Sequence, residues 1–440
     1  MSTSIRSGSA NTYDASLRNI LLRQADLATM QDKLTSGKKI VQASDDPTGA
    51  ANAERAMTRI NRIAADQRAL AAQRDTITQA ESTLGDVTDA LQSFRSLVVS
   101  AGDGANTDAD RQTIVKQLQG LRDQIFSMAN QKDTNGQPLF GALGSALAPF
   151  VGPQATAPDY TFQGLPGQVA SSDVSIPAAL DGDSAFMLHP GRDAAFNIQT
   201  TLSASNGTAR TTPVTVETAA NSATAAAAGT TFKADSAYTV TIDTVGLKDP
   251  ATDPNTGVAT YTITGTAPDG SAVSVSGNAD FNYNLPVTIN IPDATNYPGQ
   301  VGVQGLQINL KGDVRQGDAV TVTPVVSVFS VLDNAIRDIG SATSSANAAQ
   351  PVSEALNNID ISMGRISAVR GQAGALLNRA DSLSSNQDQR STQLQADKSK
   401  AEDLDMVSAI SEFQNKQTGY SAALQSYAQV QKLSLFNYLS

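Results

Sequence analysis

Few residues in this chain could support acid-base, nucleophilic or metal chemistry. Cysteine is absent, which excludes disulfides, thiolate metal sites and cysteine nucleophiles. The single histidine, His189, lies in the turn-like sequence Met187-Leu188-His189-Pro190-Gly191, and no Gly-x-Ser-x-Gly motif supplies a nucleophile for it to activate. A zinc site built from three histidines of one chain is excluded, because the chain contains a single histidine. We interpret His189 as a surface turn residue.

Acidic and glycine-rich clusters are better explained by backbone geometry than by catalysis. Asp45 and Asp46 precede Pro47 and a helical run, so Asp46 as N-cap and Pro47 at the first helical position would satisfy the helix start. Asp181-Gly182-Asp183 begins like a calcium loop but lacks the remaining ligands, so we predict a tight turn. Gly102-Asp103-Gly104 follows no strand, which argues against a phosphate-binding loop. No catalytic residue, metal or cofactor is predicted, and an enzyme is the least favoured class.

Charge and hydropathy restrict the partners of the chain. The formal net charge of -11 and the pI near 4.6 would repel a phosphate backbone, and no basic stripe with interleaved aromatics is present. We therefore expect no nucleic-acid partner. No stretch approaches the roughly 18 to 20 apolar residues of a membrane span, and the N-terminus Met1 to Asn11 has only one large apolar side chain, Ile5, after the initiator Met. We expect neither a membrane anchor nor a Sec-type signal peptide.

The strongest periodic signal is a heptad of apolar residues in the N-terminal part. Its members are Ile63, Leu70, Ile77, Leu84, Leu91 and Val98. This spacing predicts a long coiled-coil helix, with Val87 and Phe94 widening the seam near its end. The spacing alone leaves open whether the seam is internal to one chain or shared with neighbouring subunits.

Two shorter helices flank this long one. Ile20, Leu27 and Leu34 predict a helix that ends near Ser36, with Gly37 as its left-handed C-terminal cap. Thr107 begins a capping box, which predicts the start of a third helix.

The C-terminal part mirrors this layout. Apolar stripes at 352–366 and 376–383 predict one long helix, and a second stripe from Leu404 to Val430 predicts another that ends in 433–439. Between the two helical ends, short alternating runs such as 237–242, 259–263 and 301–310 predict antiparallel strands. Turns are predicted at 255–257, 269–270 and 311–313, and residues 200–231 are predicted as a loop or weak strand. The predicted fold class is α+β: a long antiparallel α-helical coiled-coil core made from both chain ends, with an inserted antiparallel β domain.

Motifs at both ends resemble one family. Leu34-Thr35-Ser36-Gly37-Lys38-Lys39-Ile40 followed by Ser44-Asp45-Asp46-Pro47 is similar to the N-terminal signature of flagellins. Asn135-Gly136-Gln137-Pro138-Leu139-Phe140 resembles the turn that closes the N-terminal core region of that family. At the C-terminus, 402–406 and 432–439 resemble its other arm, and the Leu-Ser-Leu-Phe-x-Tyr-Leu ending is more similar to hook-associated proteins of the hook–filament junction than to filament flagellins.

This resemblance, over roughly residues 1–150 and 325–440, implies a secreted structural subunit of the flagellum. It implies export through the flagellar type III apparatus with an export chaperone, and assembly of the chain with itself as a ring. The implied neighbours are another hook-associated protein on the hook side and flagellin on the filament side. The predicted assembly residues are Ile20, Leu27, Leu34, Phe413, Tyr420, Leu424, Tyr427, Leu433, Leu435, Phe436, Tyr438 and Leu439.

The expected domain plan has five parts: an N-terminal arm mobile in the monomer (1–45), an N-terminal helical core (46–145), an inserted β-rich outer domain (146–325), a C-terminal helical core (326–400) and a C-terminal arm (401–440). Ordering about forty arm residues costs on the order of 40 to 80 kcal/mol, more than a few buried apolar side chains return. We therefore expect the arms to fold as they pair with each other and with neighbours. A main filament flagellin is the nearest alternative, and a surface glycan-binding module in the β domain is a more distant one.

Overall fold

The computed structural model describes residues 9–155, 158–193, 195–203, 214–220, 237–249, 253–266, 272–282, 287–290, 306–342 and 345–439. Its larger helices are α1 (Ser9–Ser36), α2 (Pro47–Ala101) and α3 (Asp108–Ala129) in the N-terminal part. The C-terminal part has α6 (Val328–Ser341), α7 (Ser345–Glu402) and α8 (Met406–Leu439), and two short helices, α4 (Gly182–Phe186) and α5 (Pro190–Asp193), lie between. The helical ends and the inserted antiparallel sheets confirm the predicted fold class.

Helix α2 is the predicted heptad helix, and its seam is buried. Ile77, Leu84, Leu91 and Val98 are all 0 % exposed within the single chain, so this part of the seam is intramolecular. The added apolar positions Val87 and Phe94 are buried as well.

Ion pairs join α2 to α7 beside this seam. Arg370 donates to Glu81 Oε1 from Nε and Nη2 at 3.1 and 2.8 Å. Arg95 Nε donates to Asp360 Oδ1 at 2.8 Å. Oppositely charged side chains that flank an apolar seam help to fix the register of the two helices.

The predicted cap at the start of α3 is confirmed. Thr107 is the N-cap, its Oγ1 accepts from the backbone N–H of Asp110 at 3.3 Å, and the Asp110 carboxylate accepts from the Thr107 backbone N–H at 3.0 Å. This reciprocal pair is a capping box. The Thr107 hydroxyl, which donates to Asp110 Oδ2 at 2.7 Å, and then the Thr107 backbone N–H hold the pKa of Asp110 below its usual range, because the ionised carboxylate is the better acceptor.

Within the described residues, the inserted β part contains two larger sheets and a small hairpin of β1 (Phe150–Val151) with β2 (Thr161–Phe162). The remaining strands are β3 (Phe196–Thr201), β4 (Thr215–Ala220), β5 (Tyr238–Asp249), β6 (Asp253–Thr266), β7 (Ala272–Asn282), β8 (Val287–Asn290), β9 (Leu306–Lys311) and β10 (Ala319–Pro324). Described pairings are antiparallel, in the orders β3-β10-β5-β6-β7 and β4-β9-β8. Alternating apolar side chains of both sheets form one buried cluster, as expected for strands with one face in a core.

Several details of the middle part differ from the prediction. Residues 255–257 lie inside β6 and not in a turn, because β5 and β6 pair as far as Asp249 and Asp253. Asp181 is not part of a tight turn but the N-cap of α4, with its Oδ1 accepting from the Asp183 backbone N–H at 3.1 Å. The 200–231 tract contains the end of β3 and all of β4. The turn predicted at 269–270, and residues 301–305 of the last predicted strand, lie outside the described residues.

An aromatic cluster packs the β1–β2 hairpin onto the helices. Phe329 of α6 lies with its ring centroid 5.2 Å from Tyr160 and 5.5 Å from Phe150, and both of these side chains are buried. Tyr160 donates its hydroxyl to Asp333 Oδ2 at 2.5 Å, and Arg122 of α3 forms an ion pair with the same carboxylate at 2.7 Å. Burial raises the pKa of both Tyr160 and Asp333. We interpret this network as structural, since a buried polar group must find partners.

The chain divides into two compact units. One unit comprises residues 1–69 and 382–440, and the other comprises residues 70–381. The first unit therefore contains α1, α8 and the adjoining parts of α2 and α7. The second contains the buried seam and the inserted sheets.

Candidate assembly site on the terminal helices

Helices α1 and α8 pack against each other in the unit formed by the two chain ends. On α1, Ile20 and Met30 are 8 % and 5 % exposed, and Leu27 and Leu34 are half-buried. Of the described positions of α8 that are at least partly buried, all except Gly419 follow coiled-coil spacing: Ala409, Phe413, Lys416, Tyr420, Ala423 and Tyr427. The two ends of the chain thus form one helical pair.

This pair leaves further apolar side chains in solvent. On α1, Leu22 is 64 % exposed, and on α8, Val407 is 81 % exposed. Among the described side chains of these two helices, the other exposed large apolar residues are Leu17, Leu21, Met406, Ile410 and Leu424. Scattered exposed leucines are ordinary, but several on two paired helices provide apolar surface that a neighbour could bury.

The turn after α1 is held by the turn that precedes α8. Gly37 has a φ of +71°, which confirms it as the left-handed cap of α1. The Leu404 backbone N–H donates to the Gly37 carbonyl at 2.9 Å, and the Lys39 backbone N–H donates to the Glu402 carbonyl at 2.8 Å. Lys38 also forms an ion pair with Glu402. These contacts fix where α1 and α8 begin to run side by side.

The start of α2 has the predicted cap. Asp46 Oδ1 accepts from the backbone N–H groups of Thr48 and Gly49 at 3.1 and 2.9 Å, and Pro47 is the first helical residue. A Cβ atom at Gly49 would lie 2.5 Å from Asp46 Oδ2 and 2.6 Å from Ile40 Cδ1, so glycine permits this close approach. These contacts support Asp46 as a helix cap.

Asp45 stabilises the same turn from the other side. Its Oδ2 accepts from the backbone N–H groups of Val41 and Gln42 at 3.0 and 3.1 Å. These donors, Gln42 first, hold the pKa of Asp45 below its usual range, because they stabilise the ionised form. Both carboxylates of the pair are thus occupied by backbone donors.

A shallow cleft of about 280 Å³ opens between this turn and the end of α7. Ile40, Val41 and Met57 supply apolar atoms, and Lys398 and Glu402 supply charges. Lys398 Nζ lies 3.8 Å from Glu402 Oε2, so the two charges offset each other. The cleft has no convergent set of catalytic groups, and we treat it as part of the surface of this turn.

The predicted assembly residues fall into two groups. Ile20, Leu27 and Leu34 with Phe413, Tyr420 and Tyr427 lie at least half-buried on the paired helices, and Leu424 is 41 % exposed. The backbone of 433–439 belongs to α8, but the side chains of Leu433, Leu435, Phe436, Tyr438 and Leu439 lie outside the described residues. Whether any of them contacts a neighbouring subunit stays a prediction.

Asp405 caps the start of α8 and was not predicted from the sequence. Asp405 Oδ2 accepts from the Ser408 hydroxyl at 2.8 Å, and Oδ1 accepts from the backbone N–H groups of Val407 and Ser408 at 3.1 and 3.3 Å. The Ser408 hydroxyl and these N–H groups hold the pKa of Asp405 below its usual range. The signal was an Asp directly before an apolar helical run, which is the usual N-cap position.

The described residues contain no group of three histidine, cysteine, aspartate or glutamate side chains that could hold a metal ion. None of the helices in the described ranges is long and apolar enough to cross a membrane. His189 is 52 % exposed and its Nε2 lies 2.9 Å from Asp183 Oδ2, so it forms a surface pair.

Paired terminal helices, a buried coiled-coil seam and an inserted β part define a class of long-helix structural proteins.

Comparison with known proteins narrows this class. Residues 9–143 match the bacterial flagellin N-terminal helical region, and residues 356–439 match the bacterial flagellin C-terminal helical region. Both helical ends of the chain therefore match the bacterial flagellin family, and the fold class of the chain agrees with that of flagellin-like proteins. The two matched regions contain α1 to α3 and α8 with most of α7.

Individual relatives are similar over different lengths. Flagellar hook-associated protein 3 of Salmonella typhimurium is 33 % identical over 141 residues, which are 31 % of this chain and 44 % of that protein. A flagellin of Clostridium tyrobutyricum is 23 % identical over 403 residues, covering 90 % of this chain and 91 % of that one. The crystal structure of hook-associated protein 3 from Legionella pneumophila has a TM-score of 0.54 at 21 % identity, over 78 % of this chain and 97 % of that chain. The chain spans less than half the length of the hook-associated protein 3 it matches in Salmonella.

Proposed function

We propose that this chain is a non-enzymatic structural subunit of the bacterial flagellum that joins the hook to the filament. The observation that carries the proposal is the pairing of α1 with α8, which leaves leucine side chains exposed on α1 and methionine, valine, isoleucine and leucine side chains exposed on α8. A subunit with such surface gains stability by burying it against copies of itself or related subunits. The similarity to hook-associated protein 3 supports the junction in preference to other flagellar positions.

The proposal includes the route and the partners. The chain is secreted through the flagellar type III apparatus with an export chaperone and assembles with itself as a ring. A hook-associated protein is its neighbour on one side, and flagellin is its neighbour on the other. The acidic net charge of -11 keeps monomers apart before assembly.

Electron microscopy of a strain that lacks this gene tests the proposal. The expected result is hooks without filaments, together with free flagellin in the culture medium. Reintroduction of the gene should restore filaments, which serves as the control for the deletion. Normal filaments in the deletion strain would contradict a junction role.

A main filament flagellin is the second candidate, favoured by the alignment of 403 residues with a clostridial flagellin. The purified full chain separates the two functions. A filament subunit should form long filaments unaided at high protein concentration, whereas a junction subunit should not. Copy number in sheared flagella gives an independent measure, because a ring needs far fewer copies than a filament.

A further inference from the structure

Helix α7 presents a stripe of polar side chains, spaced four residues apart, to the backbone of two strands. Gln350 pairs with Val216 of β4 in both directions: the Val216 N–H donates to Gln350 Oε1 at 2.9 Å, and Gln350 Nε2 donates to the Val216 carbonyl. Asn358, which is buried, donates from Nδ2 to the Phe196 carbonyl of β3 at 2.9 Å. Side chains of one helix therefore replace hydrogen bonds that a neighbouring strand would make.

Glu354 lies at the middle of this stripe. Its Oε1 accepts from the backbone N–H of Ile198 in β3 at 2.7 Å. Strand β3 is the outer strand of the five-stranded sheet, and β4 is the outer strand of the three-stranded sheet. Outer strands present unpaired backbone groups, which proteins cover or protect. The stripe covers such groups on both sheets.

The surroundings of Glu354 disfavour a negative charge. Among the described side chains, the charged groups that act on it are Asp338 and Arg337 of α6. Arg337 Nε already donates to Asp338 Oδ1 at 2.8 Å, and Asn197 of β3 donates to Asp338 Oδ2 at 3.2 Å. The guanidinium of Arg337, which acts on Glu354, is thus paired with another carboxylate.

Removal of Glu354 from water is the main cause of its altered acidity, and it raises the pKa of this carboxyl to about 8. The negative charge of Asp338 adds to the effect. The N–H of Ile198 and the guanidinium of Arg337 lower the pKa of Glu354, but their effect is smaller than that of burial and Asp338 together. At neutral pH the neutral acid can accept from Ile198 through its carbonyl oxygen while both groups stay shielded.

We propose that Glu354 is a proton-dependent latch between helix α7 and the outer strand β3. The neutral acid holds the contact closed. The ionised acid draws water into the contact and loosens β3 from the helix. The latch is a property of residues 70–381 alone and does not depend on the proposed flagellar role.

The direction of the pH dependence follows from proton binding. Below the ordinary glutamate pKa near 4.5, the acid is neutral whether the contact is closed or open, and the full stability of the contact is present. Between that value and about 8, the open state loses its proton while the closed state keeps it, so the contact weakens as the pH rises. Above about 8 both states are ionised and the loss is complete.

Hydrogen exchange of the full chain, measured by mass spectrometry, tests the latch. Peptides covering 195–203 and 214–220 are compared at about pH 6 and about pH 9, with labelling times scaled for the intrinsic exchange rate. The expected result is a loss of protection at the higher pH of at least about tenfold, the change that one pKa unit produces. Peptides from the centre of β5 and β6 serve as the internal reference and should change less.

Glu354→Gln provides the matched variant, because the amide keeps the acceptor for Ile198 but cannot ionise. Its protection in 195–203 should be nearly the same at both pH values. Glu81→Gln on α2 is the control, since it removes a carboxylate that is paired with Arg370, and it should retain the wild-type pH dependence.

Equal protection of the wild-type peptides at both pH values would overturn the latch, and this result needs no variant to fold. A tenfold loss that persists in Glu354→Gln would assign the pH dependence to another group and would overturn it as well.

Discussion

Similar apolar spacing has different outcomes in the two units of the chain. In residues 70–381, seam residues such as Leu84 and Leu91 of α2 are 0 % exposed. In the unit of residues 1–69 and 382–440, Phe413, Tyr420 and Tyr427 of α8 are only half-buried, and other apolar side chains nearby are exposed. The seam of α2 is thus closed within the chain, whereas the paired helices α1 and α8 retain exposed apolar side chains.

This difference in burial indicates where the α2 seam and the terminal helices each obtain their stability. Burial of an apolar side chain contributes about 1.5 to 3 kcal/mol, so a fully buried seam stabilises the single chain. A helical pair with exposed rows gains a smaller part of that free energy until a neighbour covers it. We infer that the seam serves folding and that the terminal helices serve assembly.

The largest expected effect comes from removal of residues 433–440. The shortened chain should remain soluble, with the thermal transition of residues 70–381 unchanged, but it should no longer assemble. Incorporation into flagella of a strain carrying only the shortened gene measures assembly, and calorimetry measures folding. Unimpaired assembly would remove the division of roles between the two units.

Two leucines, one in the α2 seam and one on α1, allow the buried seam and the terminal helices to be compared at single residues. Leu84→Ala empties a fully buried seam position and should lower the free energy of unfolding by about 2 to 5 kcal/mol. Leu21→Ala on α1 changes a side chain that is 55 % exposed, and its effect should stay within about 0.5 kcal/mol. Denaturant unfolding monitored by circular dichroism measures both.

In an assembly assay we expect the opposite order of effects for these two variants. Leu21→Ala should impair assembly more than its small effect on the free energy of unfolding would explain. A large loss of stability from Leu21→Ala would show that the terminal helices are as internally complete as the seam.

The smallest expected effect is a loss of helix capping at the start of α8 in acid. The pKa of Asp405 is lowered by the Ser408 hydroxyl and backbone donors, so its stabilising contribution is present above the ordinary aspartate pKa near 3.8 and is lost as the pH falls through the lower folded value. Fraying of the start of α8 should therefore increase in acid, below about pH 4. Hydrogen exchange of peptides beginning near Met406 measures it.

Asp405→Asn retains the capping oxygen and should reduce this acid dependence. Acid fraying that is the same in Asp405→Asn would assign it to a different group.

Local signals in the sequence predicted much of the helical architecture. The heptad of α2, the cap at Gly37 and the Thr107–Asp110 capping box each depend on residues a few positions apart, and each is confirmed. The strands around Tyr238–Ile242 and Ala259–Ile263 were also found from their alternation. The turn predicted at 255–257 was wrong, because glycine and asparagine also occur within long strands when pairing across the sheet is favourable.

Contacts between distant parts of the chain had no comparable signal. The bonds of Gln350 to Val216 and of Glu354 to Ile198 join residues separated by 134 and 156 positions. In sequence, Gln350, Glu354 and Asn358 are ordinary polar residues of an amphipathic helix, and nothing in their spacing indicates a strand edge as the partner. The partial burial of the α8 side chains could not be predicted from the sequence either, because periodicity gives the apolar face of a helix but not the area that its partner covers.

The apolar faces of the helices and the caps at Gly37, Asp46 and Thr107 could therefore be predicted from the sequence, since they depend on hydrogen bonds and side-chain spacing within a few residues. The tertiary structure was needed to show that the α2 seam closes within one chain, that α1 and α8 leave apolar side chains exposed, and that Glu354 is partly buried near Asp338. Burial is the physical reason, because the water removed from a side chain depends on every element packed around it and not on its neighbours in sequence.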